Sequence, residues 1–395
     1  MLGEGFLLKQ RNLTVESGHI WREQRRFAFR VFRDLGFGKQ VMEESIKDEI
    51  GYLLNEIEKN NENPINMHEL LMPSVSNNIC SLIFGHRYDY NDPIRKRLNI
   101  LFPRILELLE VSSVSTFLPF VYKAMQLFGS SRMTELMSLL HEFESIVEKE
   151  VEIHQKDARN DVNDYIDAFL REMHEREKLN KDMGSFSFQR LYSNSKGFFI
   201  AGSFTTRNTL DWILKLIAAY PDVQKCVHDE IDAVIGHNRL PAWSDRQLMP
   251  YTQAVIMESQ RWCCVVPLNI PRRAMNDTTI SGKFIPKDTE IVVNFWSVFH
   301  DETIFENPDT FDPQRFLSND GRELKKVEEL IPFSYGKRAC VGEILAKMEL
   351  FLYFTSIMQK YKILFPEGVQ VSFESTLGIN LQPIQEPVLK IVNRY

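Results

Sequence analysis

Apolar residues recur along most of this chain at the three- and four-residue spacing of helices, and strand-like alternation is gathered in its last third. Met133–His154 brings Leu136, Leu139, Leu140, Phe143, Ile146 and Val147 near one helical face. The polar stretch Lys156–Asp164 reads as a loop, after which Tyr165–Glu177 repeats the pattern with a charged outer side. A long, largely apolar helix is predicted from Phe186 to Ala219, ended at Tyr220-Pro221. Its middle, Gly197–Thr206, is rich in glycine, alanine and phenylalanine. Pro250–Trp262 reads as another helix; Pro267 and Pro271 then break the pattern. Thr279–Phe295 alternates like two strands around Pro286-Lys287-Asp288. Asn307–Leu330 is irregular and charged, Glu343–Tyr361 is helical, and Val369–Val392 reads as short strands with a turn near Gly378. No internal repeat, low-complexity tract or linker interrupts the chain. The expected fold class is mainly α with small β-sheets (α+β).

Composition narrows the functional classes. The 395 residues are 44% hydrophobic and 26% charged, enough to bury a large core and incompatible with disorder. A net charge of −7 argues against a general nucleic-acid binder. The five cysteines (Cys80, Cys226, Cys263, Cys264, Cys340) follow no even framework, so thiols in a reducing compartment are expected rather than disulfides. Adjacent Cys263 and Cys264 read as packing residues. The uncharged run Val111–Tyr122 spans twelve residues and contains Pro119, too short to cross a bilayer; surface association stays open. No GxGxxG, Walker or HExxH motif is present, so any electrons must come from another protein.

The segment Phe333-Ser-Tyr-Gly-Lys-Arg-Ala-Cys-Val-Gly342 carries the clearest chemistry. It sets Cys340 in a loop closed by two glycines, just before an amphipathic stretch at Glu343–Phe354. Arg338 and the N–H groups of a helix start both favour an anionic, metal-binding sulfur. Phe333 would pack under the loop, Gly336 would permit positive φ, Arg338 could grip a carboxylate through two hydrogen bonds, and Gly342 would let a flat ligand lie against the helix. A lone intracellular cysteine is more often a small buried hydrophobe. The spacing of Phe, Gly, Arg, Cys and Gly, however, resembles the heme-binding loop of the cytochrome P-450 family, whose cysteine is the axial ligand of heme iron.

Further matches follow in the family's order. Glu258 and Arg261 share a helical face at i and i+3, and taken alone read as an ordinary surface ion pair worth about a few tenths of a kcal/mol. They resemble the family's Glu-x-x-Arg, and Phe311-Asp-Pro-Gln-Arg-Phe316 its Pro-x-Arg-Phe element. The resemblance implies that Arg315 completes a Glu–Arg–Arg cluster that holds the irregular segment beneath the heme. Trp21-Arg-Glu-Gln-Arg25 is similar to the family's Trp-x-x-x-Arg, implying that Trp21 and Arg25 bind one propionate, with Arg272 and Arg338 as further propionate partners. Ala201-Gly202-Ser203-Phe204-Thr205-Thr206 resembles the oxygen-side segment. There Ala201 and Gly202 let the helix approach the porphyrin, and the Thr205 hydroxyl holds the water that supplies protons for oxygen activation. Phe204 departs from the family's usual Asp or Glu and puts efficient oxygen activation in doubt.

The resemblance implies one domain over residues 1–395 with the cytochrome P-450 fold, similar to the animal microsomal branch. It also implies that the N-terminal anchor and about the first hundred residues of that branch are missing, leaving an exposed or re-paired sheet edge near Thr279–Phe295. The implied cofactor is heme b (iron protoporphyrin IX), bound through Cys340. The implied partners are dioxygen, an NADPH-cytochrome reductase type electron donor and a lipophilic small-molecule substrate of fatty acid, steroid or xenobiotic type. Phe198–Thr205, Val265–Asn269 and Leu377–Ile379 would line the substrate pocket. The basic stretch Arg22, Arg25, Arg26, Arg30 and Arg33 would dock an acidic redox protein. The implied location is the cytosolic face of the endoplasmic reticulum membrane, with no transmembrane anchor in this chain. Monooxygenation is the leading expectation. The alternatives are a heme-thiolate isomerase or dehydratase acting on lipid peroxides, which has less need of the acid replaced by Phe204, and an inactive heme-binding remnant.

Overall fold

A computed structural model describes residues 12–117, 131–157, 161–376 and 380–395. Contacts divide the chain into two compact units. The first comprises Met1–Asn61, Asn66–Arg207 and Ile344–Leu352; the second comprises Glu62–Ile65, Asn208–Glu343 and Tyr353–Tyr395.

The first unit is built from helices α1 (Gly18–Asp34), α2 (Gln40–Lys59), α3 (Met67–Phe84), α4 (Pro93–Phe117), α5 (Ser131–Lys156), α6 (Tyr165–Lys178) and the first part of α7 (Phe188–Ala219). On α1, Phe27, Ala28, Val31 and Phe32 form the inward stripe, while arginines occupy the outer face. The Phe27 ring meets Tyr165, Phe169 and Phe186 edge-on at 5.9, 5.5 and 5.0 Å. A second aromatic cluster joins Phe199 of α7 to Phe102 at 4.5 Å and Phe143 at 5.5 Å. Each such ring contributes about 1.5–3 kcal/mol by burial. One buried polar network links three elements: Asn194 Nδ2 donates to Gln24 Oε1 and Tyr165 OH, and Gln24 Nε2 donates to Ser185 Oγ.

A buried ion pair joins two helices of this unit. Asp164 caps α6, accepting from Asp167 N at 2.8 Å, and its other oxygen lies 2.9 Å from His154 Nε2 of α5. Gly85 ends α3 with φ +73, and a Cβ there would sit 2.5 Å from Asp164 Oδ2. The position therefore needs glycine both for its backbone and for space. The carboxylates of Asp164 and Asp167 lie close enough to His154 to share a cation. Both His154 nitrogens nevertheless face oxygen, since Nδ1 is 2.7 Å from Glu150 O. Both must donate, so the ring is an imidazolium and not a metal ligand. Burial works against that charge, but the bond to Asp164 and its negative charge win, raising the His154 pKa to about 9.

The second unit holds α8 (Pro221–Val234), α9 (Pro250–Cys263), the short α10 (Phe295–Phe299) and both ends of α11 (Glu343–Lys360). Its strands are short. β1 (Ile65–Asn66), β7 (Val388–Asn393) and β6 (Tyr361–Leu364) form a sheet in the order β1-β7-β6, with Ile363 opposite Ile391 and both buried. β2 (Arg272–Arg273) pairs with β5 (Glu290–Ile291), and β3 (Thr278–Ile280) with β4 (Lys283–Ile285). The turn expected at Pro286-Lys287-Asp288 does not close this hairpin. Ser281 and Gly282, with φ +49 and +78, close it instead, because a two-residue turn with both φ positive matches strand twist. The hairpin is exposed, with Ile280 and Phe284 at 48% and 66% accessibility. The turn expected near Gly378 lies outside the described residues; beside it, Ser375 bridges Pro383.

One ionic cluster organises the irregular segment of this unit. Arg261 grips Glu258 with Nε at 2.7 Å and Nη2 at 2.8 Å, and neither side chain reaches solvent. The pair is therefore no surface ion pair, because the chain that follows α9 folds over it. Arg261 also donates to Phe299 O and Pro308 O, both at 2.7 Å. Arg315 Nε reaches Glu258 Oε1 at 3.1 Å and spends its other nitrogens on Glu306 O and Thr310 O. Beneath lies a core of Ala254, Cys264, Phe295, Phe299, Phe305, Phe316 and Leu317.

Replacing Glu258 by Ala would strand two guanidinium groups and should lower unfolding free energy by about 3–5 kcal/mol, read from denaturant midpoints. The His154 pair makes a pH prediction. Its raised pKa means its stabilisation is complete below the unfolded value near 6.5 and lost as pH rises through about 9. Asp164→Asn keeps the cap, so it should be less stable than the parent by about 2 kcal/mol near pH 6, and the gap should close near pH 10.

Candidate heme-thiolate site

The loop before α11 is held by its own backbone. Cys340 N donates to Phe333 O at 2.8 Å, Ala339 N to Gly336 O at 3.1 Å and Ser334 N to Ile331 O at 2.9 Å. Ser334 and Gly336 take φ +65 and +76, which turns the chain sharply, and Gly336–Arg338 form one 3₁₀ turn. The result presents Cys340 to the surface. Gly342 precedes α11, and a Cβ there would lie 4.0 Å from the Cys340 sulfur. The contrast with other thiols is plain: burial pushes Cys80 and Cys264 up to about 12 and raises Cys263 as well, leaving them inert packing groups. Cys226 is exposed but sits on the face of a regular helix, α8.

In the same unit Asn269 Nδ2 donates to Ser334 Oγ at 3.2 Å, tying the segment that leads into the Arg272 strand to the sulfur loop. Arg272 is half-buried, burial lowers its pKa, and among the described residues its guanidinium has neither ion pair nor hydrogen bond. A cation in that state is set for an anion that the protein does not supply. Arg338 and Phe333, close to Cys340 in sequence, are half-buried. Around Arg272 the chain exposes Leu268, Ile270, Val292 and Val293 at 38–40%. An accessible thiol, an uncompensated guanidinium and open apolar surface fit a flat metal-centred ligand with an acidic edge.

The remaining candidate residues belong to the first unit. Trp21 and Arg25 share one face of α1, with the Arg25 guanidinium 5.6 Å from the Trp21 ring and 4.7 Å from Phe29. On α7, Thr205 Oγ1 donates to Ala201 O at 2.9 Å, and Ala201 is exposed while Ser203, Phe204 and Thr206 next to it are buried. Gly202 makes room for Ile79 of α3: a Cβ would come within 2.5 Å of its Cδ1. Phe204 is 4% exposed and lies under the Arg207 guanidinium at 4.5 Å. The phenyl rings of Phe198 and Phe199 belong to the aromatic core, so Ala201 and Thr205 are what α7 shows outward here. Leu377–Ile379 lie outside the described residues. The α1 stripe keeps Arg22 and Arg26 exposed, but Arg30 pairs with Glu172 and Arg33 with Asp34.

Two features escaped sequence reasoning. The Asn269–Ser334 link joins residues far apart in sequence. Glu349 is 1% exposed on α11, and its position within the stripe Leu345, Met348 and Leu352 was a legible signal of a buried acid.

Known proteins match nearly the whole of this chain. The family described as Cytochrome P450 matches residues 5–390. Cytochrome P450 2J1 of Oryctolagus cuniculus is 38% identical over 97% of this chain and 75% of its own length. For cytochrome P450 2J2 of Homo sapiens the figures are 37%, 96% and 74%, and for human cytochrome P450 2U1 they are 41%, 93% and 67%. The chain therefore belongs to the cytochrome P450 family of heme-thiolate monooxygenases.

Proposed function

We propose that this enzyme oxidises a fatty acid, steroid or xenobiotic type substrate with electrons from NADPH, delivered by a separate cytochrome reductase. Exposed Cys340, held by the Phe333 carbonyl and tied through Ser334 to the Arg272 strand, is the observation that carries the reading. Cys340 would donate its sulfur to the iron of heme b, and Arg272, Arg338, Arg25 and Trp21 would bind the propionates. Bound heme supplies the reductive activation of dioxygen, by which one oxygen atom enters the substrate and the other leaves as water.

The chain's own residues orient and exclude. Phe333 and Gly336 shape the loop that holds the sulfur, Gly342 keeps its α11 side open, and the Glu258–Arg261–Arg315 cluster keeps the preceding segment from moving. Ala201 and Gly202 keep the middle of α7 slim. The Thr205 hydroxyl, which donates to Ala201 O, would hold a water and pass protons. Exposed Arg22 and Arg26 of α1 would meet an acidic redox protein. We place the protein at the cytosolic face of the endoplasmic reticulum, like the family's animal microsomal members; among the described residues no helix is long and apolar enough to cross a membrane.

Buried Phe204 favours a second reading, isomerisation or dehydration of a lipid peroxide, since it leaves no acid beside Thr205. Consumption of NADPH and dioxygen with reductase supports the first reading; peroxide turnover without electrons supports the second.

Cys340→Ala should abolish the thiolate-type spectrum of the reduced, carbon-monoxide-bound protein, and an unchanged spectrum removes the assignment. Phe204→Glu, placed beside Arg207, should raise product formed per electron consumed by about two-fold or more. No change would mean that protons reach the site by another route.

A further inference from the structure

Glu349 is a buried acid that none of the roles above uses. It lies on α11, 1% exposed, and belongs to the same unit as Thr206 of α7 and Asn78 of α3. Asn78 Nδ2 donates to Glu349 Oε1 at 2.9 Å. Thr206 Oγ1 lies 3.3 Å from Oε2, where a hydroxyl can donate to a carboxylate or accept from a carboxylic acid. Thr206 follows Thr205 directly and points roughly 100° around the helix, into the core instead of outward. The neighbouring Ser203 hydroxyl is buried without a partner among the described residues, so it does not fix this turn.

We propose that Glu349 is a positioning residue for the monooxygenase reaction: anchored on Asn78 and bonded to Thr206, it sets the rotation of the α7 turn that carries Thr205. This rests on reading Thr205 as the proton-passing hydroxyl. A swing of that turn would carry the Thr205 oxygen away from any water it orients, and misplacement of that kind releases reduced oxygen as peroxide instead of product.

The acid has a usable signature. Burial pushes its pKa up to about 8, with the bonds from Asn78 and Thr206 working against the rise. The groups facing it are the neutral Asn78 of α3 and Thr206 of α7, and no charged side chain contributes to its shift. Near pH 7 it is an uncharged acid. Above pH 8 it becomes an isolated buried anion that draws water into the contact between α7 and α11.

The test uses the heme-loaded enzyme with reductase and NADPH, dodecanoic acid as the probe, and hydrogen peroxide released per NADPH as the readout. Amounts are normalised to the thiolate-type carbon-monoxide signal. The parent should release about three-fold more peroxide per NADPH near pH 9 than near pH 7, whereas isosteric, always neutral Glu349→Gln should stay flat. Thr206→Val should release the high-pH amount already at neutral pH, and Thr205→Ala should release more at every pH. Unchanged peroxide in Thr205→Ala overturns the relay reading and the inference with it. Raised peroxide in Thr205→Ala, with the parent's pH dependence kept by Glu349→Gln or parent-like release from Thr206→Val, overturns the inference alone.

Discussion

A carboxylate without access to water, Glu258, sets the architecture of the second unit. Its charge could not be buried alone, and two guanidinium groups meet it: Arg261 from the next turn of α9 and Arg315 from the irregular segment. Those arginines spend their remaining donors on Phe299, Glu306, Pro308 and Thr310 carbonyls, groups that no helix or sheet would satisfy. A segment with almost no regular structure thus acquires a defined course, and the sulfur loop continues from it. The salt bridge acts here as a specifier of conformation more than as a source of net stability.

Partition of the cysteines follows from the same economy of burial. Cys80, Cys263 and Cys264 behave as small apolar groups whose ionisation burial suppresses. Cys340 escapes because two positive-φ residues, Ser334 and Gly336, carry the backbone outward before α11 begins. Arg272 complements it with a positive charge that lacks a counterion among the described residues. The half-buried Arg272 charge therefore costs free energy unless an anion completes it.

In the proposed reading α7 is the oxygen-side helix, and Phe204 stands where the family usually has an acid. Phe204 packs under Arg207 within the core of the first unit, so the aromatic ring is accommodated at no visible cost to α7. The acid that the family places there is replaced by a side chain with no proton to give. Glu349, reached through Thr206, is the buried acid joined to this stretch of the helix, on its inner side.

Helix positions in α5, α6, α7, α9 and α11 were legible from apolar spacing, because each buries one stripe whatever its neighbours are. The Cys340 loop was singled out by the resemblance of its glycine, arginine and cysteine spacing to the family's heme-binding loop. Other features depended on folding. Whether Glu258–Arg261 was a surface pair or a sealed clamp was decided by chain returning from residues 299–315. The hairpin turn settled on Ser281-Gly282 because pairing of β3 with β4 sets the register, which no proline signal encodes. Gly202 serves Ile79, and Phe198 serves the aromatic core, through partners distant in sequence. Sequence alone determined which residue types and helical stripes exist; burial, and with it the charge state and partner of each polar group, was settled by tertiary packing, because desolvation depends on what covers a residue and not on its neighbours along the chain.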